Sequence, residues 1–582
     1  MKETFKRLIP FLKKNLHKIL FGIFLIILVD VAQLTIPKVM QITIDKIGAR
    51  AIDKTGILHI SLFLVGLSLV IAGIRYLWRI LLIGTSWEID RDIRQMYYEH
   101  LMRLSRNFYN KSHTGDLMAY ATNDLRAVRM LIGFGFVVAV DIIFLSISTI
   151  FFMVSYNLKL TLMAVAPLPL LSIIIMVFGK KIHFYFSKVQ KHFATLSGKV
   201  QESISGIRVV KSFVQEEAEL EKMSKSAYDY LIENINLVKI SQGIFHPFMF
   251  LVINLSMMIV LVFGGEYAIV GEISMGAFIA FFQYLGMLVW PMIAVGQIVN
   301  MYQRGTASLK RINSIFDVEP EIVDESPDEN IKELKGDISV RNLSFRYKEG
   351  APLIFDNISF DLEAGKTLAL VGRTGSGKST LIDLLTRVYN PPRNTIYIDG
   401  HEIYNISLEN LRHNIVMVPQ DIFLFSDSIA GNVSLGRPDA TRKEIESIAQ
   451  KAQVYCDIIQ FENGFDTIIG ERGVTLSGGQ KQRLAISRAL LSDPNILILD
   501  DALSAVDTKT EKDILDTLIE TRKNKTTIII AHRISSLQHA DKIIVLDNAK
   551  IAEMGTHEEL LAINGIYRDI YEKQQLEEKL EK

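Results

Sequence analysis

Six stretches free or nearly free of charge, all within the first 303 residues, constrain this chain more than any other feature of its sequence. Residues 19–37 carry one charge, Asp30, and residues 131–157 carry one, Asp141. The stretches 56–74, 160–179, 240–265 and 273–303 carry no Asp, Glu, Lys or Arg. About 20 residues, rising 1.5 Å each, cross a hydrocarbon core of ~30 Å, so each stretch reads as a membrane-spanning helix. Burying six such helices in a soluble protein would demand a core with almost no polar surface. The composition agrees: 49% of the 582 residues are hydrophobic and the mean hydropathy is +0.24, too apolar for a string of soluble domains. Lys+Arg 64 balances Asp+Glu 64, which leaves no cationic excess and argues against a nucleic-acid partner. The single cysteine, Cys456, excludes an intrachain disulfide and a cysteine-based metal cluster.

Orientation follows from the cations. Lys2, Lys6, Arg7, Lys13, Lys14 and Lys18 precede the first span, whereas residues 264–274 hold no Lys or Arg. This predicts a multi-pass protein of the cytoplasmic (inner) membrane with its N-terminus in the cytoplasm. The first apolar run is too long, and lacks the small-residue cleavage site, for a signal peptide. Residues 1–18 interleave Phe5, Leu8, Phe11 and Leu12 with lysines and read as an amphipathic helix along the inner interface. Residues 19–303 form the transmembrane domain. Its two long cytoplasmic segments, about 84–130 and 180–239, contain no proline and read as helical continuations of the spans. Residues 304–336, with Asp317, Glu319, Glu321, Asp324 and Glu325 around Pro320 and Pro327, read as an acidic linker. Residues 337–582 complete the chain as an α/β domain.

That domain carries the chemistry. A strand-like 367–371 runs into Gly372-Arg373-Thr374-Gly375-Ser376-Gly377-Lys378-Ser379-Thr380 and then into an apolar-periodic helix, the strand–loop–helix context of a P-loop. Such glycines let backbone N–H groups turn toward phosphate oxygens; Lys378 supplies a point charge to the β- and γ-phosphates, and the Ser379 hydroxyl suits Mg2+. A second apolar strand, 496–499, ends in Asp500, where a carboxylate at the edge of a parallel sheet can hold the same magnesium. Between them Leu476-Ser477-Gly478-Gly479-Gln480 opens a helix whose N-terminus suits an anion.

A Leu-Ser-Gly-Gly-Gln run between a P-loop and a strand ending in Asp resembles the signature of ATP-binding-cassette (ABC) proteins. With six spans ahead of it, the chain resembles one half-transporter of the ABC exporter type, in which two halves pair. The resemblance implies an α-helical six-span domain fused to an α/β P-loop nucleotide-binding domain, an ATPase-coupled transport activity, and ATP with Mg2+ as cofactors. It further implies that Tyr347 stacks on adenine, Gln420 senses magnesium and the γ-phosphate, and His532 is the switch histidine. Ser477, Gly478, Gly479 and Gln480 would meet nucleotide, and 504–507, ending in Asp507, would form the loop at the dimer interface. Residues 466–473 resemble the exporter segment facing the membrane domain; 108–117 and 202–213 resemble the two coupling regions.

One position departs from the pattern. Efficient members place Glu after the magnesium Asp as general base, and this chain has Asp501. A carboxylate displaced by about 1 Å can cost ~10²-fold. The resemblance therefore points to the degenerate-site subunit of heterodimeric bacterial multidrug exporters, paired with a different chain that carries Glu. Asp30 and Asp141, costly in lipid, are expected to face the bundle interior, where acids among aromatics suit lipophilic cations. A lipid flippase or lipid-linked-precursor exporter has the same spans and the same ATP chemistry and is the alternative.

Overall fold

The computed structural model describes residues 2–470, 476–531, 533 and 537–581. The chain divides into two compact units, 1–102 with 113–318, and 103–112 with 319–582.

In the first unit, six helices among the described residues are long and apolar enough to cross a membrane: Leu16–Gly48, Lys54–Arg103, Thr114–Tyr156, Leu158–Ser205, Glu216–Val270 and Met275–Phe316. They match the six charge-poor stretches one for one. The longest has 55 residues, well beyond the ~20 a bilayer needs, and the proline-free segments are helical apart from breaks at 104–105, 112–113, 206 and 213–215. The first and sixth helices are joined by Asp45, whose carboxylate accepts from Ser274 Oγ at 2.8 Å and from Gly276 N at 2.9 Å. An acid at a helix start satisfies otherwise orphaned N–H groups and complements the helix dipole. Gly276 has to be glycine there, because a Cβ would strike the Gln41 carbonyl. The third helix widens to i→i+5 turns at Tyr120–Asp124, Leu131–Gly135 and Asp141–Leu145.

The reading of 304–336 as linker needs correction at its start. The sixth helix continues to Phe316, burying Gly305, Ser308, Leu309 and Ile312. Arg304 therefore ends the apolar stretch without ending the helix, because a helix leaving a membrane changes its surface chemistry and keeps its hydrogen bonds. Its last carbonyls are met by the N-terminal segment: Arg7 donates to Asn313 O at 3.1 Å and Phe316 O at 3.3 Å, and Asn313 Nδ2 donates to Thr4 O at 2.8 Å.

The second unit is built on two sheets. The larger has strand order β10-β9-β3-β8-β7-β6, with β6 (Ile415–Val418), β7 (Ile496–Asp500), β8 (Thr526–Ile530), β3 (Thr367–Gly372) and β9 (Lys542–Asp547) parallel and β10 (Lys550–Gly555) antiparallel. Strands β7 and β8 are buried at every position, as a parallel sheet covered on both faces requires. The smaller sheet is antiparallel, β2-β1-β4-β5, from Phe355–Leu362, Ile338–Phe345, Ile396–Ile398 and His401–Glu402. Register pairs Leu370 and Asp500 with Ile530. The chain therefore leaves β3, β7 and β8 at one carboxyl edge, the place where open α/β sheets bind ligands.

Residues 317–337 are irregular, and from Glu319 onward they belong to this unit and are seated on it by their acids. Asp324 accepts from Leu408 N at 3.0 Å and Glu325 pairs with Arg393 at 2.5 Å. Arg387, 1% exposed, donates to Val323 O at 3.0 Å. The acidic stretch is held in place and is no free tether.

Candidate nucleotide site

From β3 the chain turns through Gly372 (φ +155°), Gly375 (φ +85°) and Gly377 (φ +99°) into the helix Lys378–Leu385. A Cβ on Gly377 would lie 2.9 Å from the Phe355 ring, so both its left-handed backbone and the close approach demand glycine. No side chain caps the helix; its first N–H groups, which have no intrahelical acceptor, open into the cleft. Lys378 folds back over the loop, donating to Gly372 O at 2.8 Å and Arg373 O at 3.1 Å. Burial pushes its ammonium below the usual lysine range, while Asp500 and Asp501 pull it back up. Ser376 Oγ is buried with no hydrogen-bond partner. An uncapped helix start, a desolvated ammonium and an orphaned hydroxyl around one loop fit a polyphosphate.

Thr374, Gly375, Gly377, Lys378, Ser379 and Thr380 line one wall of a cleft of about 390 Å³, and Gln420, Asp500 and Asp501 line the other. Ile354 and Ile530, not singled out by the sequence, complete the lining. Asp501 turns off β7 in the left-handed region, φ +50°, tied by its N–H to Ile530 O at 2.9 Å. Its Oδ2 accepts from Gln420 Nε2 at 3.2 Å. Asp500 and Asp501 are 8% and 9% exposed. Among the described residues no group of three or more His, Cys, Asp or Glu converges on a metal-sized site. Ser379, Gln420 and Asp500 fit Mg2+ only if nucleotide oxygens complete the shell, the usual arrangement for this ion.

Tyr347, half-exposed, shares a 2.8 Å hydrogen bond with Thr380 Oγ1 and meets Phe345 and Tyr389 edge-on, at 5.3 and 5.0 Å between centroids. The signature residues lie apart from the cleft lining. Ser477 caps the helix Gly478–Leu491 with a complete capping box: Ser477 Oγ accepts from Gln480 N at 3.3 Å, and Gln480 Oε1 accepts from Ser477 N at 3.0 Å. The box satisfies the N–H groups of Ser477 and Gln480 with the helix start's own side chains. Gly479 lets the following loop approach, because a Cβ there would lie 2.9 Å from Ala505 O. Asp507 caps the helix Thr508–Thr521, accepting from Thr510 N at 3.0 Å, and these hydrogen bonds hold its carboxyl below the usual range. His532 and residues 471–473 of the segment expected to face the membrane domain lie outside the described residues.

Sequence reading missed two sets of contacts. Gln482, 5% exposed, donates to Ser504 Oγ at 3.0 Å and accepts from Ala505 N at 2.8 Å, holding the 501–505 turn against the signature helix. Its place two residues past Gln480, on the buried face, was the available signal. The second set comes from the short helix Arg106–Lys111, which belongs to this unit. Arg106 pairs with Asp383 of the P-loop helix at 3.0 Å, and Asn110 Nδ2 donates to Tyr389 Oη at 2.8 Å. Burial raises the Asp383 carboxyl and Arg106 opposes that shift.

Comparison with known proteins converges with this geometry. Residues 19–292 match the family described as ABC transporter transmembrane region, and residues 355–504 match ABC transporter. The chain is 40% identical over 580 residues to the probable multidrug resistance ABC transporter ATP-binding/permease protein YheI of Bacillus subtilis (strain 168), covering 99% of this chain and 98% of that one. It is 33% identical over 521 residues to the ATP-dependent lipid A-core flippase of Syntrophus aciditrophicus (strain SB), covering 90% and 86%. A solved bacterial Atm1-family ABC exporter with ATP bound superposes with a TM-score of 0.76 at 26% identity, over 96% of this chain and 98% of that one.

Proposed function

The chain belongs to the ABC transporter family as a half-transporter, a multi-pass membrane protein that binds ATP and couples its hydrolysis to export, and from that premise we propose that it is the weakly hydrolysing half of a heterodimer. In this reading Tyr347 stacks on adenine, and the turn 372–380 wraps the phosphates with its backbone N–H groups. Lys378 exchanges the carbonyls of Gly372 and Arg373 for phosphate oxygens. Ser379, Asp500 and Gln420 hold Mg2+, which when bound neutralises phosphate charge. Asp501 orients the attacking water and accepts its proton, and His532 meets the γ-phosphate.

The observation that carries the proposal is the state of Asp501. Its carboxylate stands where a longer Glu would reach further into the cleft, and it is already engaged by Gln420 at 3.2 Å. A shortfall of about 1 Å in a positioned base costs ~10²-fold. The signature 477–480, absent from the cleft lining, is intact and exposed at its tip, which suits it to face the P-loop of a partner carrying Glu. The nucleotide domain and N-terminus lie in the cytoplasm in this reading, by the distribution of Lys and Arg.

The name of the Bacillus relative supports lipophilic or amphipathic drugs as cargo. Asp30 supports a cationic group among them: it is 4% exposed within the first membrane helix, with Oδ2 lacking a hydrogen-bond partner, and a buried carboxylate calls for a counter-charge. The flippase relative supports the second reading, lipid cargo, which predicts ATPase stimulation by one lipid class instead of by varied amphipathic cations. The heterodimer is tested by two substitutions in the assembled pair. Changing the partner's Glu to Gln removes most turnover, whereas Asp501→Asn here costs less than about threefold, since little general-base work is lost. Equal losses would make the two sites equivalent and end the proposal.

A further inference from the structure

The connection between the second and third membrane helices contributes ten residues, 103–112, to the nucleotide-binding unit. Their polar side chains end on two places that flank the nucleotide cleft. Arg106 reaches Asp383 with both carboxylate oxygens at 3.0 and 3.2 Å, and Asp383 lies five residues along the P-loop helix from Lys378. Asn110 Nδ2 donates to Tyr389 Oη at 2.8 Å. The Tyr389 ring then stands at 74° to the Tyr347 ring with 5.0 Å between centroids, and the Tyr347 hydroxyl is bonded to Thr380. Ser105 and Asn107 anchor the same short helix on Glu321 at 2.8 and 3.1 Å.

A half-exposed tyrosine is a poor platform while its ring is free to rotate, because every stacked ligand then has to bear the cost of ordering it. Tyr347 has two restraints: its hydroxyl on Thr380 and the Tyr389 ring packed against it at 74°. Tyr389 in turn has its own hydroxyl fixed by Asn110, so the orientation of the base platform is set from outside the nucleotide domain's own sequence.

We propose that Asn110 is a positioning residue for the nucleotide base, acting through Tyr389 on Tyr347. The inference rests on the reading that Tyr347 stacks on adenine. It makes the membrane-domain connection a determinant of base affinity, separate from the phosphate contacts of the P-loop.

Binding of ATP and of inorganic tripolyphosphate, both with Mg2+, to the full chain in lipid nanodiscs tests it. Asn110→Ala and Tyr389→Phe each lower ATP affinity about three- to tenfold, the worth of one ordered aromatic pair, and leave tripolyphosphate affinity within about twofold. Because both changes break one link, the double variant is no worse than either single one. Equal weakening of both ligands means a general structural effect and overturns the inference; so does unchanged ATP affinity, or additive losses in the double variant. Tyr347→Ala separates the two levels. If it leaves the ratio of ATP to tripolyphosphate affinity unchanged, the adenine reading itself fails. If it lowers the ratio while Asn110→Ala does not, only the positioning role fails.

Discussion

Two glycine-rich helix starts in this protein treat their free N–H groups in opposite ways. The helix Lys378–Leu385 begins at Gly377 in the left-handed region with no side-chain cap, and everything around it, from the orphaned Ser376 Oγ to the desolvated Lys378, awaits an anion. The helix Gly478–Leu491 begins at Ser477 and closes its own capping box with Gln480. The first is incomplete without a ligand. The second meets two of its N–H groups, those of Ser477 and Gln480, with its own side chains, and is braced from behind by Gln482 and the 501–505 turn. The two helix starts do not line the same cleft, and under the proposed function the difference corresponds to a receiving face and a contributing face of one ATP reaction.

That division can be broken one face at a time. The largest effect is expected from Lys378→Ala, which removes the ammonium from the receiving face: nucleotide binding by the isolated chain falls by at least about tenfold, as loss of a charged hydrogen-bond donor implies, measured by titration with fluorescent ATP. On the contributing face Gly479→Ala drives a Cβ against Ala505 O and shifts the signature from the loop behind it. Turnover of the assembled pair falls about tenfold or more, yet the isolated chain binds nucleotide within about twofold of the parent; parallel loss of both would merge the two faces. The smallest effect concerns stability. Arg106→Gln leaves Asp383 buried without its guanidinium, at a cost of about 1 kcal/mol, less than for a fully buried pair because Arg106 is half exposed. Burial already raises the Asp383 carboxyl. Its folded form therefore holds a proton more firmly than the unfolded chain, and its contribution declines as pH rises through the raised value. Loss of Arg106 raises that value further, so the deficit in thermal unfolding is smallest at acid pH, grows as pH rises through the raised value and is level above it. Adding Asp383→Asn flattens the profile; a deficit independent of pH would show that the ion pair is not its cause.

How much of this could be read in advance depended on the range of the forces involved. The six spans are a property of local composition, and the P-loop is a contiguous run with its strand and helix attached; both were legible residue by residue. The place of Asp500 followed from a strand ending at the edge of a parallel sheet. The capping box of Ser477 and Gln480 was legible in principle, since Ser and Gln three residues apart are its signature, but the two glycines between them drew attention to anion binding instead. The helical character of 304–316 was masked by the return of charge at Arg304, a change of solvent that leaves backbone hydrogen bonding intact. The contacts of Arg106 and Asn110 join residues 277 and 279 positions apart, and no local pattern encodes such a pairing.

The measurement that bears most directly on the central claim is steady-state ATP turnover by this chain purified alone, set beside turnover after co-expression with a half-transporter that carries Glu at the base position. The account predicts weak hydrolysis alone and at least a tenfold rise in the pair, because only the second assembly joins a complete base to the intact signature of this chain. A homodimer of this chain turning over ATP at about 10 s⁻¹, the rate of an ordinary enzyme, would contradict it.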